Sequence, residues 1–241
     1  MARHLARWEL DGVRGPVVVV DVIRAFTTAA YAFGSGAAEI YLVGDVGEAL
    51  AFKAAHPGTI ALGEDRGLRP EGFDYPNSPA MVSRADLAGR TLVQRTSAGT
   101  RGVVAAVHAD RLWAASLACA SATARAVNEA GIGEPAYVIT GRFEDAPDAT
   151  GHDDALVADL IERARLGRAF DAAATSAALL ATDEAARTLA LGPDHCDPMD
   201  IELAAAVDVF DFAMEVERTP YGLRLTPGPR REFAPGQRNR G

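Results

Sequence analysis

Four consecutive valines, Val17 to Val20, run directly into Asp21-Val22-Ile23-Arg24 and then Thr27-Thr28. A run of β-branched residues with no polar alternation reads as a strand buried on both faces, which is what a parallel sheet covered by helices demands. The run ends at a carboxylate and a guanidinium before an alanine-rich helix begins. In open α/β sheets ligands bind beyond the carboxyl ends of the strands, so Asp21 and Arg24 are placed to act there. The competing reading is a helix N-cap aspartate beside a surface arginine. What decides between them is whether other strands end the same way.

They do. Ile40 to Val43, Thr59 to Leu62, Thr91 to Val93, Leu112 to Ala115 and Ala136 to Thr140 read as further strands, separated by helical stretches at 25–33, 45–55, 99–107 and 119–130. The alternation predicts an α/β fold: three layers, α/β/α, with a mostly parallel central sheet. The C-terminal part turns mainly helical beyond Gly167, with a late hairpin pairing Met214 to Val216 with Leu223 to Leu225. One domain over 1–226 and a loose C-terminal tail over 227–241 follow. Two long segments break the rhythm. Gly63 to Pro79 is rich in Gly and Pro and carries Phe73 and Tyr75 as anchors; it is expected to fold back over the strand ends as a lid. Gly141 to His152 is a second irregular loop.

If the sheet is parallel, one edge gathers Asp21, Arg24, Glu64, Asp65, Arg66, Arg95, Thr96, Ser97, Arg101, Arg142, Asp153 and Asp154. Asp21, Glu64, Asp153 and Asp154 are hard oxygen donors of the kind magnesium takes alongside water and phosphate oxygens. The turn from Thr96 through Gly99 and Thr100 into a helix is expected to offer free backbone N–H groups to an anion. Arg95 or Arg101 adds bidentate capacity. No Walker or dinucleotide spacing is present. Cys119 with Arg125 matches the Cys-x5-Arg spacing of a thiolate phosphatase, but its loop has no glycine and reads as helix, so Cys119 is read as a small buried residue.

Composition narrows the partners. With 24 Lys+Arg against 33 Asp+Glu, the net charge is -9. No basic face for nucleic acid is expected, no apolar run approaches membrane length, and two cysteines give no disulfide framework. A cytoplasmic protein is expected, with a homodimer left open.

At this point the residues carry a resemblance. Val-Val-Asp21-Val-Ile-Arg24-Ala, Gly63-Glu64 with Arg69-Pro70-Glu71-Gly72-Phe73-Asp74 and Asn77-Ser78-Pro79, Thr96-Ser97-Ala98-Gly99-Thr100-Arg101, and Asp153-Asp154 opening a helix are similar to the 2-phosphosulfolactate phosphatase family. The resemblance implies a magnesium-dependent phosphatase acting on a phosphate ester of a sulfonated three-carbon hydroxy acid. On that reading Asp21, Arg24 and Glu64 are catalytic, and Asp21, Glu64, Asp153 and Asp154 bind Mg2+. Arg66, Asn77, Ser78, Arg95, Thr96, Ser97, Gly99, Thr100 and Arg101 meet a small phosphorylated carboxylate or sulfonate. The alternative is a non-catalytic binder of a small anionic metabolite, or a phosphatase of the same fold with a different substrate.

Overall fold

Val17, Val18, Val19 and Val20 are fully buried. Val17 and Val19 join the core on one side of the sheet, Val18 and Val20 the core on the other. The computed structural model describes residues 2–193 and 195–229; most of the tail expected over 227–241 lies outside the described residues, and its first residue, Pro227, closes a strand.

The first elements are β1 (Arg3–Leu5), β2 (Pro16–Val20), α1 (Ala25–Gly34), β3 (Glu39–Val43), α2 (Val46–Ala55) and β4 (Ile60–Gly63). The middle of the chain forms β5 (Tyr75–Pro76), α3 (Pro79–Val82), β6 (Thr91–Arg95), α4 (Gly99–Ala105), β7 (Arg111–Ala115), α5 (Ala120–Ala130) and β8 (Ala136–Ile139). There follow β9 (Arg142–Phe143), β10 (Ala146–Thr150), α6 (His152–Arg165), α7 (Ala172–Leu180), α8 (Asp183–Leu189), α9 (Pro198–Ala204), β11 (Met214–Thr219) and β12 (Gly222–Pro227).

Ten strands form one sheet in the order β1-β8-β2-β7-β11-β12-β3-β6-β4-β5. Six of its nine pairings are parallel. The late hairpin, β11–β12, sits in the middle, antiparallel to β7 on one side and to β3 on the other. Three successive antiparallel steps therefore separate two parallel blocks, which run in opposite directions along the sheet. This corrects the expectation that every strand ends on one edge. The ends of β2 and β6 nevertheless meet. A Cβ built on Gly99, just past β6, would fall 2.7 Å from Asp21 Oδ2, just past β2, and the rotation of about 20–25° between adjacent strands turns the two blocks toward each other. The Gln94 side chain on β6 donates to the Ala25 carbonyl at the start of α1, 2.8 Å away.

Every residue of α1 from Ala25 to Phe33 is buried, because the helix is packed against the sheet and against α3 and α4. On the other face, α5 and α6 cover β2, β7 and β8, and α2 covers β3, β4 and β6. The helices lie in the two outer layers that the alternation predicts. No helix among the described residues is long and apolar enough to cross a membrane.

Both irregular segments acquire structure. In the first, Phe73 is buried beside Ala61 and Val93, against α2. The Asp74 carboxylate accepts from Ala61 N at 2.8 Å and from Lys53, and β5 extends the sheet edge. Beyond its root this segment is an edge and not a lid, which corrects the expected closure. The second is a β9–β10 hairpin, and this is the element that lies over the strand ends.

Candidate functional site

Asp21 stands where β2 gives way to α1 and is 6% exposed. Its Oδ1 accepts from Ala25 N at 2.9 Å, and its carboxylate also accepts from Gly99 N. Thr140 Oγ1 lies 3.2 Å from Asp21 Oδ2 and 3.1 Å from Asp154 Oδ2, and 3.0 Å from the Val20 carbonyl. Asp154 Oδ1 accepts from Val22 N at 2.9 Å, and its Oδ2 from Gly141 N at 2.8 Å. Asp154 thus fastens the end of β2 to the end of β8.

Three buried carboxylates in one place repel one another and lose hydration. Burial, with the charge of Glu64 adding, pushes Asp21 up to about 6. Burial, then Glu184 and Asp21, pushes Asp153 up to about 7. Asp154 is raised well above the ordinary value by burial, then by Asp153 and Asp21.

Most of the N–H groups in the turn into α4 are engaged within the protein and are not free as expected. Ser97 N donates to Glu64 Oε1 at 2.5 Å, Gly99 N to Asp21, and Thr100 N to Thr96 Oγ1 at 3.1 Å. Thr100 Oγ1 in return accepts from Thr96 N. Three donors that could have met a ligand hold the site's own carboxylate and hydroxyl groups instead. A side chain at Gly99 would place its Cβ 2.7 Å from Asp21 Oδ2 and 2.8 Å from Ala25 Cβ, so the close approach of α4 to Asp21 requires glycine. Glu64 is engaged throughout: Oε1 by Ser97 N, Oε2 by Ser97 Oγ and Gly67 N. It fixes the turn.

Arg24 is buried and donates to Asp200 Oδ2 at 2.8 Å and to the His195 carbonyl at 3.0 Å. Asp200 Oδ1 takes Ser78 Oγ at 2.6 Å and Ala80 N at 3.0 Å. Ser78 also caps α3 through Met81 N. Arg24, Ser78 and Asp200 form a buried knot joining α1, α3 and α9. Asn77 is buried, with no hydrogen-bond partner at Oδ1. These side chains line neither of the two cavities that flank the carboxylates.

The first cavity, ≈ 320 Å³, is lined by Asp21, Asp153 and Asp154, with Thr140, Glu184 and Arg187 among the other walls. The second, ≈ 670 Å³, is lined by Arg7, Arg66, Arg95, Arg101, Ser97 and Asp65, with Glu144 and Asp145 from the hairpin. Phe143 belongs to both. Ser97 faces one and its neighbour Ala98 the other. Arg95 Nη1 donates to the Glu64 carbonyl and to Asp65 Oδ1, both at 2.8 Å, while Arg66 N is tied to Ser97 Oγ.

Sequence reasoning missed Thr140, Phe143, Glu184, Arg187 and Arg7. Thr140 carried a signal, as a hydroxyl at a strand end before Gly141. Glu184 and Arg187 carried none: they sit on α8, far along the chain from any strand end. Cys119 is fully buried, and burial pushes its thiol up; Arg125 is paired with Asp211. Cys119→Ser is accordingly expected to keep most of any hydrolytic activity, with circular dichroism unchanged. Loss of several orders of magnitude with an intact fold would restore the thiolate mechanism.

Among the described residues, no three His, Cys, Asp or Glu side chains are arranged to hold a metal ion. Magnesium needs fewer: one or two carboxylates, completed by waters and substrate oxygens. Asp21, Asp153 and Asp154 are buried together on the wall of this cavity and are the residues that could supply such a donor set, although Asp21 and Asp154 also accept backbone and hydroxyl donors. Glu64, engaged with Ser97 and Gly67, lies outside this cavity's walls.

A family model described as 2-phosphosulpholactate phosphatase matches residues 6–218. A Bacillus subtilis protein named "Probable 2-phosphosulfolactate phosphatase" is 38% identical over 112 residues, 46% of this chain and 49% of its own length. Proteins of the same name from Thermoplasma acidophilum and Thermus thermophilus are 40% and 41% identical over 106 and 127 residues. Those matches cover 44% and 52% of this chain, and 48% and 53% of the two relatives. The chain spans about half the length of these curated relatives.

Proposed function

The chain belongs to the 2-phosphosulpholactate phosphatase family, and from that premise we propose that it is a magnesium-dependent phosphomonoesterase acting on a phosphorylated three-carbon carboxylate or sulfonate. The observation that carries this reading is the pair of adjoining cavities sharing Phe143, one lined by Asp21, Asp153, Asp154 and Glu184 with one arginine, the other by four arginines with Asp65, Glu144 and Asp145. A substrate with a phosphate at one end and a second anionic group at the other matches that polarity.

Magnesium, held by Asp21 and Asp153, would polarise the phosphoryl group and activate a water. The chain's own residues set the geometry. Ala25 N and Thr140 hold Asp21 at the end of β2, Asp154 ties β2 to β8, and Gly99 lets α4 close on Asp21. Glu64 fixes the Ser97 turn that divides the cavities. Arg66, Arg95, Arg101 and Arg7 offer guanidinium groups to the carboxylate or sulfonate, with bidentate geometry available to either. The β9–β10 hairpin brings Phe143 over both cavities, where it limits access of bulk water and strengthens the charge interactions beneath it. In the reaction an oxygen from water bonds to phosphorus, the ester P–O bond breaks, and the departing alkoxide takes a proton.

The test is phosphate release from a panel of esters with and without magnesium. Esters of three-carbon acids, 2-phosphosulfolactate among them, are expected to turn over at least about tenfold faster than esters lacking the second anion. A chelator should abolish turnover. Binding of these anions with no phosphate released, magnesium present, would instead make the protein a metabolite binder.

A further inference from the structure

Of the three features expected to grip a phosphoryl group, two are largely engaged and the third lies in the other cavity. Arg24 is buried against Asp200. The N–H groups of Ser97, Gly99 and Thr100 are bonded within the protein. The four arginines of the larger cavity lie on the far side of the Ser97–Ala98 turn. With magnesium held by Asp21 and Asp153, the phosphoryl oxygens turned away from the metal would still call for a protein donor in this cavity. Among the described residues lining that cavity, Arg187 on α8 is the one cationic side chain.

Resting on the phosphatase reading above, we propose that Arg187 is a catalytic residue that binds the phosphoryl oxygens in the carboxylate-walled cavity. Arg187 is built for that role. Its side chain is 56% exposed, so it can move without breaking a core. One guanidinium nitrogen, Nη2, rests 3.2 Å from Glu184 Oε1, which leaves the other donors of a five-donor fork for the ligand. Glu184 is itself placed by His152 N and Thr150 Oγ1, at 3.3 and 3.4 Å. The arginine is thereby linked to the root of the hairpin over the site and to the helix that carries Asp153 and Asp154. Thr188, its neighbour, also lines the cavity.

The chemistry explains why a cation is needed there. As the ester P–O bond breaks, charge spreads over the three equatorial oxygens, and a planar guanidinium stabilises it at two of them. A carboxylate-walled cavity alone would repel the substrate. Arg187, on α8, offsets that repulsion from the cavity wall.

The experiment compares wild-type protein, Arg187→Ala, Arg187→Lys and Arg101→Ala, all with magnesium and 2-phosphosulfolactate, and measures inhibition by inorganic phosphate and Tm. For Arg187→Ala the expected result is a fall in kcat of about 10²-fold or more, weaker inhibition by inorganic phosphate, and unchanged Tm. Partial recovery with added guanidinium ion is expected, and Arg187→Lys should fall between. Arg101→Ala should raise KM by more than it lowers kcat. Wild-type kcat in Arg187→Ala, or a loss of activity matched by a loss of Tm, overturns the assignment. So does a reversed pattern, in which Arg101→Ala and not Arg187→Ala loses inorganic phosphate. Wild-type protein that releases no phosphate from any ester overturns the phosphatase reading itself, a result distinct from all of these.

Discussion

Asp21→Asn is expected to lower phosphate release by about 10³-fold while making the metal-free protein more stable at pH 8. The two effects have one cause. Asp21 is held in place by Ala25 N, Gly99 N and Thr140, yet burial and the nearby charge of Glu64 push it up to about 6 from an ordinary 3.8. A carboxyl whose folded value is raised is favoured in its protonated form by the fold. Its penalty is absent below about pH 4, grows as the pH rises toward 6, and is complete above that, reaching about 3 kcal/mol. Asparagine removes the charge and little volume, so the penalty disappears, less what the amide loses by facing Gly99 N with a donor. Urea titrations at pH 4 and pH 8 check the sign: the variant should gain on wild type only at the higher pH. A variant that is less stable at both values and keeps wild-type turnover at limiting magnesium would leave Asp21 as a helix cap and nothing more.

The same residues show what the sequence could and could not reveal. The valine run announced its own burial, because four β-branched residues without a polar alternate have no solvent face to offer; both faces proved covered. Asp21 followed, since a charge ending such a run stands where the strand leaves the sheet. The hairpin of Met214 to Thr219 and Gly222 to Pro227 was legible as a hairpin through its turn at Pro220-Tyr221. Its insertion between β7 and β3 was not. Nothing local in Val216 or Leu225 records which strands they pair with, and that insertion reverses one parallel block against the other. The engagement of the Thr96–Thr100 turn was hidden for a related reason. A glycine-containing turn at a helix start looks the same whether its donors meet a ligand, as expected, or Glu64 and Asp21, as observed. Arg187 and Glu184 were invisible because surface charges on a short alanine-rich helix are ordinary; only the packing of α8 against α6 turns them toward Asp153. The loop from Gly63 to Pro79 was read as a lid because its polar ends suggested ligand contact. Asp74, satisfied by Ala61 N and Lys53, makes it a sheet edge.

Gly63→Ala is expected to cost more stability than any other single methyl addition in this region, roughly 3–5 kcal/mol. Gly63 has φ +135°, a conformation nearly closed to residues with a side chain. A Cβ built there falls 1.9 Å from the Arg95 carbonyl oxygen and 2.9 Å from its carbon. Both obstacles are backbone, so no rotamer change relieves them. The two residues are partners in the β4–β6 ladder, and Glu64 N donates to that same Arg95 oxygen at 3.0 Å. Relief therefore demands that β4 and β6 separate at their ends, which breaks this hydrogen bond and moves the Glu64 carboxylate away from Ser97. Strain and clash can be told apart with Gly58→Ala, where φ is +92° and nothing lies within 4 Å of the added carbon; that variant should lose only about 1 kcal/mol. If urea unfolding shows equal losses for the two variants, the close approach of Gly63 to Arg95 contributes nothing. If Gly63→Ala loses the larger amount and its folded fraction also turns over slowly, the last turn of β4 carries both the edge of the sheet and the positioning of the Ser97 turn. The link between them is Glu64, whose backbone belongs to the ladder and whose carboxylate belongs to the site.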